Sequence, residues 1–161
     1  MRYIALNLVL FCCAVAFSQS TDKPATDTAG DDYSGMYSFL REGEFVQVSV
    51  EEGGKLSGFV SRFGDADSDR GAFLDHFIKQ GTLAGHDIKF TTETVHGVWF
   101  EFKGTADRGN GKTPDDEAYY VLKGTLTQHT GDPGKNDTAK SREVVFKSFP
   151  QDVSQSNKLP D

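Results

Sequence analysis

The run His86–Gly104, HDIKFTTETVHGVWFEFKG, alternates almost without a break. His86, Ile88, Phe90, Thr92, Thr94, His96, Val98, Phe100 and Phe102 fall on one parity, and Asp87, Lys89, Thr91, Glu93, Glu101 and Lys103 on the other. Side chains of a strand point alternately to opposite faces, so the run predicts strands with one apolar and one wet face. A lone hairpin cannot bury such a face. It needs a second sheet or closure into a barrel.

Eight segments carry strand patterns: Tyr33–Leu40, Phe45–Val50, Leu56–Phe63, Ala72–Ile78, His86–Thr94, Val95–Gly104, Tyr119–Thr127 and Glu143–Phe149. Turn chemistry separates them, with Arg41-Glu42-Gly43 and Glu51-Glu52-Gly53-Gly54 the clearest cases and Gln80–Gly85 read as a further turn. No segment has the period of an amphipathic helix. The expected fold is therefore all-β, an antiparallel up-and-down eight-stranded barrel, with a β-sandwich as the alternative. Two segments, Thr105–Glu117 and Gln128–Lys140, are rich in Gly, Asp, Asn and Lys and are expected as long loops flanking one mouth of the barrel. Parity turns Tyr37, Phe39, Val46, Val48, Val50, Tyr120, Leu122, Leu126, Val144 and Phe146 inward. In the third segment, Phe59 and Phe63 compete with Leu56 and Val60 for the inner face.

The ends are of another kind. Arg2, the apolar run Tyr3–Phe17 and the small-x-small triplet Ala16-Phe17-Ser18 make residues 1–18 a signal peptide, cleaved before Gln19. The run is too short to span a membrane, and the expected location is secreted or periplasmic. Residues 19–32 read as a flexible polar leader, 33–149 as the barrel domain and 150–161 as a disordered tail. Both cysteines, Cys12 and Cys13, leave with the signal, so the mature chain has neither disulfide nor thiol chemistry. The full chain carries −7, and loss of Arg2 makes it one charge more acidic. With no Lys/Arg cluster to meet phosphates, nucleic acid is excluded as a partner.

Ser34-Gly35-Met36-Tyr37 resembles the Gly-x-Trp opening of the first strand in lipocalin and avidin-like barrels, and Gly54-Lys55-Leu56-Ser57-Gly58-Phe59 resembles the avidin-type turn into a third strand. The resemblance spans residues 33–149 and implies the barrel shape. It departs at the chemistry. Tyr37 stands in place of the tryptophan, and the sole tryptophan, Trp99, falls on the polar parity. Avidin-like biotin pockets use several tryptophans, so the shape carries over and biotin does not.

Asp65, Asp67 and Asp69 stand at alternate positions, as in the opening of a calcium loop, where hard oxygen ligands converge on one ion. Arg70 occupies the place such a loop reserves for Gly, and His76 the place of its closing Glu, so a solvated Asp-rich turn competes with a Ca2+ site. His76, His86 and His96 lie in strand patterns, and His96 is expected to share the inner face with Phe100; His129 is placed in a loop. Gly109-Asn110-Gly111-Lys112-Thr113 lacks the helix a phosphate loop opens, and no Gly-x-Ser-x-Gly elbow occurs. The expected ligand is a small, partly apolar molecule, with Tyr37, Phe90, Phe100 and Tyr120 as walls and Thr92 and His96 as polar anchors. The alternative is a filled-core module that contacts an envelope protein through acidic end loops. An enzyme with His96 or His86 as base would need a nucleophile that the sequence does not show. Beyond Ca2+, no cofactor is expected.

Overall fold

The computed structural model describes residues 32–150, so the signal peptide, most of the leader and the tail lie outside the described residues. Within them run β1 (Gly35–Ser38), β2 (Phe45–Val50), β3 (Leu56–Phe63), β4 (Phe73–Ala84), β5 (Asp87–Thr92), β6 (Val98–Arg108), β7 (Tyr120–Asp132) and β8 (Asn136–Lys147). Each is antiparallel to the next, in the order of the chain. A Tyr37–Ser148 bridge closes the first strand on the last. Phe149 N donates to Met36 O at 2.8 Å, and Lys147 N to Ser38 Oγ at 3.0 Å. These contacts curl the sheet into an up-and-down barrel rather than a sandwich, joined only at the end of β8: its residues 136–146 pair with β7 alone among the described residues.

The interior follows parity. Tyr37, Val46, Val48, Ile88, Phe90, Phe100, Phe102, Leu122, Leu126 and Phe146 are buried. In β3 the choice falls on Leu56 and Val60, and Phe59 and Phe63 face outward, where Phe59 meets Phe77 and Phe63 meets Phe73. Inside, Phe39 packs on Phe100 and Phe146, and Phe102 on Phe90 and Phe146, with ring centroids 5.2–5.5 Å apart. The centre of the barrel is thus filled by its own aromatic side chains.

Three expectations give way. Gln80–Gly85 is mostly strand: β4 runs on to Ala84, and a bulge between Ile78 and Gln80 resets its alternation, which hid the strand from a period-2 reading. The segment 128–140 is largely ladder, with a connection only at 133–135, whereas 105–117 is strand to Arg108 and then the long connection 109–119. Those two connections lie at opposite ends, because consecutive turns of an up-and-down barrel alternate. The end bearing 85–86 and 109–119 is closed by tyrosines. Tyr37 Oη donates to Tyr33 O at 2.6 Å, Tyr33 packs edge-on against Tyr120, and Arg108 lies 3.3 Å over the Tyr119 ring. The other end, bearing 39–44, 64–72, 93–97 and 133–135, is the mouth.

Candidate functional site at the barrel mouth

At the mouth the inner wall turns from apolar to charged. Arg62 follows Leu56 and Val60 on the inward parity of β3 yet is only 5% exposed. Its Nη1 reaches Asp65 Oδ2 at 2.7 Å and Phe63 O at 3.0 Å, while Nε donates to His76 Nε2 at 3.1 Å. His76, on β4 opposite Val60, has no exposed surface and meets Phe100 edge-on at 5.1 Å. Because Nε2 accepts from Arg62, the imidazole proton sits on Nδ1. Burial, and then the guanidinium beside it, pushes the His76 pKa down to about 4. His76 is therefore a neutral acceptor that orients a buried cation.

Beside this pair lies Glu44, 2% exposed. Its carboxylate accepts from Arg41 N at 3.1 Å, Arg41 Nε at 2.9 Å and Phe63 N at 3.1 Å. It thereby ties the β1–β2 connection to the end of β3. Above these groups opens a pocket of about 200 Å3 lined by Leu40, Arg41, Glu44, Arg62, Asp65, Phe100, Gln128 and Arg142. Glu44 pairs with Arg41, and Asp65 with Arg62 and Arg41. Arg142, exposed on β8, has no carboxylate within 4 Å among the described residues. The pocket thus offers one unpaired guanidinium and the Gln128 amide above the Phe100 ring.

The residues singled out in the sequence divide between two ends. Phe100 underlies the mouth pocket. Thr92 is buried nearby on β5, with its Oγ1 accepting from Phe100 N at 3.0 Å. Phe90 is buried in the barrel wall, and Tyr37 and Tyr120 belong to the closed end. His96 does not share the inner face: it is exposed in the turn between β5 and β6 at φ 49°, where its Nδ1 donates to the buried Asp69 Oδ2 at 2.7 Å. Asp65 instead faces Arg62, and Asp67 pairs with Arg70. The three aspartates thus take separate partners, and no three His, Cys, Asp or Glu side chains are grouped to hold a metal among the described residues. His86 lies exposed at the far end, Nδ1 donating to Ala106 O at 2.8 Å. His129 lies on β7, not in a loop, and stacks on Trp99 outside the barrel with centroids 4.7 Å apart. Sequence reasoning missed Arg62, Glu44 and Arg142. An arginine on the inward parity of an apolar strand was the available signal.

No protein-family model and no curated protein matches the chain. Among solved structures, rhizavidin is similar over 78% of this chain and 88% of its own, at TM-score 0.55 and 12% identity. A rhizavidin–biotin complex is similar over 74% of this chain and 95% of that one, at TM-score 0.53 and 14% identity. A complex of short afifavidin with biotin gives 75%, 92%, TM-score 0.52 and 12% identity. At this identity the likeness is one of fold, and the chain folds as an avidin-like eight-stranded barrel.

Proposed function

We propose that this barrel binds a small, partly apolar carboxylic acid at its mouth. The supporting observation is the roughly 200 Å3 pocket in which the unpaired Arg142 faces the seat above Phe100. A carboxylate accepts charge-assisted hydrogen bonds from Arg142 and a further bond from Gln128, while the ligand's apolar part lies against the half-buried Leu40. Barrel mouths commonly carry ligands, and here the aromatic filling moves the seat from the centre to the rim.

Calorimetric titration with biotin, the ligand in the rhizavidin and short afifavidin complexes, and with octanoate tests the reading. Both probes join a carboxylate to a modest apolar body. At least one is expected to bind saturably, and Arg142→Gln is expected to weaken it about tenfold or more while leaving thermal stability unchanged. No binding by either, or equal binding by the variant, refutes the seat. We also propose export after removal of residues 1–18, for which N-terminal sequencing of the extracytoplasmic protein should start at Gln19.

A further inference from the structure

We propose that the outer wall formed by β4–β7 is a second binding site, for an acidic saccharide. Two cross-strand rows lie side by side there, Thr82–Lys89–Lys103–Thr125 and Gln80–Thr91–Glu101–Thr127. They line a groove of about 770 Å3 that shares no residue with the mouth pocket. Lys89 and Lys103 are directly opposite in the ladder. Like charges in that position repel, and neither ammonium has a carboxylate within 4 Å among the described residues. Glu101, which lines the groove, has Oε2 3.6 Å from His129 Nε2, and Glu143 at its border is engaged by Thr125. A chain of net charge −7 thus concentrates two uncompensated cations in a concavity, where an anionic group relieves their repulsion.

The rest of the lining decides what body that anion carries. Thr82, Thr91, Thr125, Thr127 and Gln80 present hydroxyls and an amide. Thr125 Oγ1 donates to Glu143 at 2.6 Å, so its oxygen is left to accept from a ligand hydroxyl. Phe90 and Phe102 border the groove, but their rings are buried in the barrel interior, so no apolar anchor is offered to a peptide or a lipid tail. Along the groove β5, β6 and β7 are each paired on both sides, so an extended peptide finds no edge to join between the lysine and threonine rows. A ligand with one or more carboxylates on a hydroxyl-covered body satisfies the lysine pair and the threonine rows together.

Titration of the protein with trigalacturonate, with neutral galactotriose and inorganic phosphate as comparisons, tests this site. Trigalacturonate should bind, more weakly as salt rises, and galactotriose about tenfold or more weakly still. Lys89→Gln with Lys103→Gln should reduce trigalacturonate affinity about tenfold or more without lowering the melting temperature, because the double change removes a repulsion. Arg142→Gln should leave it unchanged, which separates this site from the mouth. Failure of trigalacturonate to bind, or equal binding by the lysine double variant, overturns the proposal. Phosphate binding as tight as trigalacturonate binding overturns the saccharide assignment.

Discussion

Acidification from about pH 7 to about pH 4.5 should remove about 2–3 kcal/mol of stability through one side chain, His76. It has no exposed surface, and its Nε2 already accepts the Arg62 Nε proton. A second proton on the ring would break that bond and place two cations side by side in an apolar wall. Burial and the adjacent guanidinium accordingly lower its pKa from 6.5 to about 4. The unfolded chain takes up the proton near 6.5 and the native chain refuses it until near 4, so the unfolded state gains stability as pH falls across that window. At about 1.36 kcal/mol per unit, two units amount to about 2.7 kcal/mol. Carboxyls held below their ordinary range, Asp69 by the His96 hydrogen bond and Glu51 by Ser57 and then Lys55, are lost as stabilising groups only at lower pH. Urea unfolding followed by far-ultraviolet dichroism at the two pH values reads the difference. His76→Gln keeps an acceptor for Arg62 but does not titrate. Its stability should be nearly flat across the window, and an equal loss in variant and wild type refutes the assignment.

Glu44→Gln sets an amide among three donors and weakens the pairing of a buried carboxylate with the half-exposed Arg41, which should cost about 1–3 kcal/mol in urea unfolding. Gly58→Ala places a Cβ 2.0 Å from Gln47 O at a φ of 132°, and should cost more than about 2 kcal/mol or prevent folding, as soluble expression and dichroism would show. Millimolar calcium should leave the melting temperature unmoved and Asp67→Ala should cost less than about 0.5 kcal/mol, since Asp67 is exposed and paired only with Arg70; a calcium-dependent rise lost in that variant would restore the ion site.

What the sequence made legible was the set of strands whose one face is buried and whose ends carry turn residues. The bounds of β2 and β3 are those read from Phe45–Val50 and Leu56–Phe63. The long β7–β8 hairpin was not legible because residues 136–143 are exposed on both faces, so no apolar period marks them. His96 shows a subtler failure. The two-residue turn pairs Val95 with Val98, of opposite parity, while the ladder behind it pairs like parities such as Phe90 with Phe102; the one-residue slip between them restores the parity count, so alternation cannot reveal the turn. The turn chemistry could: His96 and Gly97 both take positive φ, 49° and 72°, and a polar residue before Gly is a hairpin signal. The mouth escaped because Glu44, Asp65 and Arg142 come together only when the barrel closes.

The Arg62–His76 pair supplies the test of why that mouth is charged. Removing one member of a buried polar pair strands the other, whereas replacing both with apolar groups of similar volume is often neutral or stabilising. The double change Arg62→Met with His76→Leu should therefore leave stability at pH 7 within about 1 kcal/mol of wild type, with Phe100 still packed against the new side chains. It should also abolish the acid-induced loss, and binding of a carboxylate at the mouth should fall because Asp65, released from Arg62, is left to compete for Arg41 and repel the ligand. Retained stability with lost binding would mark the pair as kept for the site. A loss of several kcal/mol would show instead that the polar pair holds β3 against β4, and would refute this account of the mouth.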